Sequence, residues 1–200
     1  MGMKIFERAR AIILNPKATW PLIRDEAVDI KQLFINYAAP LALIPAVSSF
    51  IGITIIGFRV PAGYMYRLPF LEAMVGVVLG YVINLAGVFV GGWVVKLLAP
   101  FFNSKADLNA AMKVVAYSLT PVWLVGIFSL VPGLGVLSIL GLYGIYLLAV
   151  GLPVVMETPS NKVILYTISI IIAGFVISFV FSLALALLYY GPVFMRTMPV

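Results

Sequence analysis

Five long apolar stretches, at 34–58, 70–98, 114–131, 134–155 and 163–190, alternate with short polar breaks along the chain. Each reaches or approaches the ~20 residues with which an α-helix crosses a ~30 Å hydrocarbon layer. The pattern predicts an all-α, polytopic integral membrane protein with five transmembrane helices. The helices are expected at 34–58, 70–98, 105–131, 134–155 and 160–190, within a membrane domain at 34–190 and followed by a short extracytoplasmic tail at 191–200.

A different periodicity precedes the first span. Ile5, Phe6, Ala9, Ile12 and Ile13 recur at helical spacing, with Lys4, Glu7, Arg8 and Arg10 mostly on the other face. Such a helix can lie in the headgroup plane. Asn15-Pro16 ends it, and a second short element begins at Trp20-Pro21 with a mixed-charge face. Residues 1–33 are thus expected to form interfacial helices, with Trp20, Arg24 and Glu26 as the candidates for contact with the membrane surface or a partner.

Composition agrees with this picture: hydrophobic residues make up 64% and charged residues 10% of the 200 residues, and mean hydropathy is +1.15. A soluble domain is excluded. Lys4, Arg8, Arg10, Lys17, Arg24, Lys31, Lys96, Lys105, Lys113 and Lys162 fall on one side of the predicted spans, and only Arg59, Arg67 and Arg196 on the other. The positive-inside rule places the N-terminus in the cytoplasm and the C-terminus outside. The net charge of +6 then reads as attraction to anionic headgroups at the cytoplasmic face, and nucleic acid is not an expected partner. The run 11–14 is too short for a cleavable signal, so the first span is expected to remain in the mature protein.

The second span carries the sharpest chemical pattern. Glu72, Gly76, Gly80, Asn84, Gly87 and Gly91 fall within an arc of about 120° on a 3.6-residue helix. One reading is a helix-packing seam with an interhelical hydrogen bond from Asn84; the other is a polar cleft with Glu72 at its outer mouth. In the third span, Pro121 frees the carbonyl of Tyr117 and should kink the helix, and Ser118 or Thr120 is placed to re-satisfy that backbone. Ser104 and Asp107 have the form of a capping box, which predicts a helix start near Lys105. Tyr143 and Tyr146, at i and i+3 in the fourth span, need hydrogen-bond partners, for which Tyr117, Ser118, Thr120 and Asn84 are the candidates. Gly174, Ser178, Ser182 and Ala186 form a small-residue ridge on the fifth span, which ends at the aromatic pair Tyr189-Tyr190.

Catalysis finds little material. The chain has no His and no Cys, and no pair of its seven acids can be placed on one helix face inside the membrane. No metal site, phosphate loop or cofactor is expected, and the chain reads as a non-enzyme.

The run Ala116-Tyr117-Ser118-Leu119-Thr120-Pro121, with Val131-Pro132-Gly133-Leu134-Gly135 and Gly141-Leu142-Tyr143-Gly144-Ile145-Tyr146 downstream, resembles the Yip1 domain family in its prokaryotic branch. Asn15-Pro16-Lys17-Ala18-Thr19-Trp20, with Ile23 and Glu26, and Tyr37 with Pro40-Leu41, are similar to that branch too. The resemblance covers nearly the whole chain and implies a five-span protein of a prokaryotic inner membrane with a cytoplasmic N-terminus. It links eukaryotic members to Rab GTPases and membrane shaping, but the acidic Asp-Leu-x-Gly-Pro element of that branch is absent here. Two functions are consistent with the sequence. One is a membrane organiser that packs against lipid, a second copy or another protein; the other is a transporter of an ion, small molecule or lipid, with a cavity between the second, third and fourth helices.

Overall fold

In the computed structural model, residues 4–59, 65–131 and 133–179 are described. Among the described residues, four helices are long and apolar enough to cross a membrane: α3 (Ile30–Ile56), α4 (Phe70–Phe102), α5 (Leu108–Leu130) and α6 (Leu134–Val155). A shorter apolar helix, α7 (Val163–Phe179), begins the fifth stretch, and α1 (Ile5–Leu14) and α2 (Pro16–Asp25) precede them all. The expected span from 180 to 190, with Ser182, Ala186 and the Tyr189-Tyr190 pair, and the tail at 191–200 lie outside the described residues.

Proline and asparagine set the hinge between α1 and α2. Asn15 leaves helical geometry at φ −140° and ψ 65°, and Pro16 opens α2 at its first position, where no intrahelical N–H is needed. The two helices fold back on the bundle, and Ile12, Trp20 and Ile23 are fully buried. The buried stripe of α1 also differs from the expected one: Arg8, Ala9 and Ile12 are inside, whereas Phe6 is exposed.

The spanning helices are irregular where proline and glycine dictate. In α3 a wide π-type turn covers Phe34–Ala38 and another closes the helix at Gly52–Ile56. A two-residue antiparallel pairing, β1 (Phe58–Arg59) with β2 (Met65–Tyr66), joins α3 to α4; the hydropathy pattern gave no hint of it. The kink in α5 falls at Leu119, just before Pro121. Beyond it the backbone tightens into 3₁₀ geometry at Gly126–Leu130, and the first nine residues of α6, Leu134–Leu142, are 3₁₀ as well. Runs of that length are uncommon.

Helix α5 begins at Leu108 and not near Lys105. Its cap is Asp107, whose Oδ1 accepts from the Ala110 N–H at 2.8 Å. Ser104 lies upstream of the helix and donates instead to Thr158 Oγ1 at 2.9 Å. Asp at the cap position satisfies an orphan donor directly, so the Ser104 hydroxyl is released to tie the α4–α5 loop to the α6–α7 loop.

Candidate functional site

The kink in α5 is held by a hydrogen-bond relay. Pro121 has no N–H to give the Tyr117 carbonyl, and Thr120 Oγ1 supplies the missing donor at 2.7 Å. With its proton committed there, Thr120 can only accept from the Tyr37 hydroxyl, 2.7 Å away. The relay thus joins α3 to α5, and the Tyr37 and Tyr117 rings lie 4.3 Å apart beside it. Of the two expected donors, Thr120 fills the role; the hydroxyl of Ser118 is buried without a partner.

A second group of polar residues fastens α1 and α2 to the bundle. Arg8 is only 5% exposed and grips Glu26 with both terminal nitrogens, Nη1 to Oε2 at 2.8 Å and Nη2 to Oε1. Its guanidinium carbon sits 6.0 Å from the centre of the Tyr117 ring. Burial opposes the cation, but the hydrogen bonds that Arg8 donates to Glu26 and the neighbouring charges outweigh it, and the Arg8 pKa rises above its ordinary value. Lys113 reaches from α5 to the end of α2, donating to the carbonyls of Ile23 at 3.0 Å and Glu26 at 2.5 Å. A cation on the last carbonyls of a helix satisfies orphan acceptors and complements the dipole. Trp20 of α2 fills the space left by Gly151 of α6, where an added Cβ would meet the indole at 2.6 Å.

These placements decide what the candidate surface residues face. Trp20 is turned into the protein, Glu26 is committed to Arg8, and Arg24 alone remains exposed. Arg24 pairs with Asp25 at 2.7 Å; that hydrogen bond is the main reason the Asp25 carboxyl is held below its usual range.

The six residues of the α4 arc divide. The buried residues Val88, Gly92 and Val95 lie about 100–160° from Gly76 around the helix, so the main seam of α4 is displaced from the glycine arc. At the edge of the arc, Asn84 Oδ1 accepts from Trp123 Nε1 at 2.9 Å, and a Cβ on Gly91 would meet Val115 at 3.1 Å. Gly76, Gly80 and Gly87 have nothing within 4 Å of an added Cβ among the described residues. Glu72 is exposed at the start of α4.

Gly87, Gly91 and Ser118 are brought together in the wall of a cavity of about 700 Å³ between α4, α5, α6 and α7. Asn84, Tyr117, Thr120, Pro121, Tyr143 and Tyr146 are not in that wall. The tyrosines of α6 also depart from expectation. Tyr143 donates to the Ile13 carbonyl of α1 at 2.9 Å, and the Tyr146 ring lies 5.3 Å from that of Tyr143. Neither bonds to Tyr117, Ser118, Thr120 or Asn84, because the docked α1 offers a free helix-terminal carbonyl nearer to hand.

Arg8, Tyr37, Lys113 and Trp123 escaped the sequence reading as site residues. Arg8 was legible in principle, since Ile5, Arg8, Ala9 and Ile12 keep the i, i+3, i+4, i+7 rhythm of a buried stripe. A cation in that rhythm signals a buried partner. Nothing local marks the other three, whose partners are dozens of residues away.

The tight apolar spans, the backbone re-satisfied at Pro121 and the polar groups confined to interhelical contacts define a polytopic helical protein integral to the membrane and in contact with its lipids. The family pattern described as Yip1 domain matches residues 10–195, and the chain belongs to that family. It is similar to inner membrane protein YohC of Escherichia coli strain K12, 27% identical over 181 residues that cover 88% of this chain and 92% of that one. The same protein of Escherichia coli O6:H1 strain CFT073 matches to the same extent. No solved structure matches the chain.

Proposed function

We propose that the protein is a non-enzymatic organiser of the inner membrane that works by self-association through the outward face of α4. The observation that carries this reading is the half-satisfied amide of Asn84. Trp123 occupies its Oδ1, and its Nδ2 has no partner among the described residues on an exposed position of the helix, where hydrocarbon offers no acceptor. Gly80 and Gly76, one and two turns before it on the same arc, let a second backbone approach closely enough to supply one. The placement in an inner membrane follows the similarity to YohC, and the charge count supports a cytoplasmic N-terminus. The lack of His and Cys supports a role without catalysis.

Single-cysteine crosslinking along α4 tests the reading on a clean background, since the chain has no Cys of its own. Gly76→Cys and Gly80→Cys are expected to form disulfide-linked dimers in the membrane, while Val78→Cys, turned away from that arc, does not. Equal yields at all three positions, or none, would count against an α4 interface.

The transport reading draws on the cavity between α4 and α7. Its wall holds only Gly, Ala, Val, Leu, Ile, Phe and Ser, a chemistry that favours an apolar occupant over an ion.

A further inference from the structure

We propose that the cavity between α4, α5, α6 and α7 is a binding site for one acyl chain of a bilayer phospholipid, entering from the leaflet on the side of α1 and α2. The proposal does not depend on self-association.

Size and shape come first. A volume of about 700 Å³ falls within the ~300–1,000 Å³ of ligand sites. Along α5 the wall runs from Val115 to Ser129, about 21 Å at 1.5 Å per residue. That exceeds the ~15 Å depth of one leaflet of a ~30 Å core, so the slot accommodates a chain lying parallel to the helices. Its existence has a cause in the sequence. The 3₁₀ segments Gly126–Leu130 and Leu134–Leu142 are narrower than α-helix, and Gly87, Gly135 and Gly174 leave the wall bare, with nothing within 4 Å of an added Cβ among the described residues.

Chemistry selects the occupant. No ionisable side chain lines the cavity, so neither an ion nor a charged solute finds a counter-charge there. An unfilled apolar space of this size forfeits dispersion contacts along its whole wall, and in a bilayer the apolar matter at hand is lipid chain. A buried polar group is left over: Ser118, 6% exposed and part of the wall, has a hydroxyl with no partner among the described residues. It lies one turn from Val115, at the end nearest α1 and α2. A change of rotamer turns it toward the cavity, where the ester carbonyl of a chain inserted from that leaflet would accept its proton.

The test is photolabelling of the full chain in vesicles of phosphatidylethanolamine and phosphatidylglycerol that include a phospholipid with a diazirine on its acyl chain. Adducts mapped by mass spectrometry are expected to concentrate on the wall segments of α5 and α6. Filling the slot with Gly87→Leu and Gly174→Leu together is expected to lower those adducts about fivefold or more, whereas Val78→Leu, exposed on the opposite face of α4 and outside the wall, leaves them unchanged. Adducts spread evenly over the outward faces, or indifferent to the filled slot, would overturn the proposal. A second measurement needs no cavity-filling variant: a photoreactive residue replacing Ile145 in the wall should capture phospholipid. Capture of another part of the same chain, or of a second copy, means that protein and not lipid occupies the space, and the proposal fails.

Discussion

Trp123 Nε1 donates to Asn84 Oδ1 at 2.9 Å, tying the kinked half of α5 to the middle of α4. The indole is fully buried, whereas the amide is exposed. One bond therefore ties the two helices and leaves the amide nitrogen of Asn84 without a partner among the described residues.

Asn84→Leu is expected to leave the Trp123 N–H buried and unpaired, at a cost of about 1–3 kcal/mol. Thermal unfolding in detergent checks it. Trp123→Phe in the same chain should recover part of the loss, since removing both partners is far less harmful than removing one.

Thr120 serves two partners, so its loss is expected to be worse than that of an ordinary hydroxyl. Thr120→Val strands the Tyr37 hydroxyl and the Tyr117 carbonyl together, and destabilisation of about 1–3 kcal/mol or more is expected. Thr120→Ser keeps the Oγ and should stay close to the parent in the same unfolding assay.

The docking of α1 and α2 depends on fixed charges. Lys113→Met removes the donor to the Ile23 and Glu26 carbonyls, and hydrogen exchange in 5–26 should accelerate while the spanning helices stay protected. Because pairing with Glu26 raises the Arg8 pKa, the contribution of Arg8 is complete below its ordinary value and is lost only as pH rises through the still higher folded one. Between about pH 6 and 9, exchange in α1 should therefore show no transition from Arg8.

Two glycines of similar appearance should respond oppositely to alanine. An added Cβ at Gly144 would fall 2.5 Å from the Ser118 carbonyl oxygen, so Gly144→Ala forces α5 and α6 apart and is expected to cost about 1–3 kcal/mol. Gly174 has open space at the same position among the described residues, and Gly174→Ala should be neutral or stabilising by up to about 1 kcal/mol through helix propensity. Paired melting curves decide.

What the sequence made legible follows from which forces are local. Span length and charge asymmetry are properties of contiguous residues, and the four long helices lie where hydropathy puts them. The freed Tyr117 carbonyl and its rescue by Thr120 were legible for the same reason, since both lie within one turn of Pro121. The burial of Trp20 was not: a tryptophan near a membrane surface suits the interface, and only the absence of a side chain at Gly151, far along the chain, makes a socket for it. The 3₁₀ segments that open the cavity leave no signature either, because their apolar residues satisfy a helical hydropathy pattern whatever the pitch.

Self-association through α4 is tested most directly by the mass of the protein ejected from lipid nanodiscs. The parent chain should appear as a dimer, and Gly80→Leu, which places a bulky side chain at a position where an added Cβ meets nothing within 4 Å among the described residues, should appear as a folded monomer. A parent that is monomeric at every protein-to-lipid ratio, or a Gly80→Leu variant that dimerises as the parent does, would contradict the account.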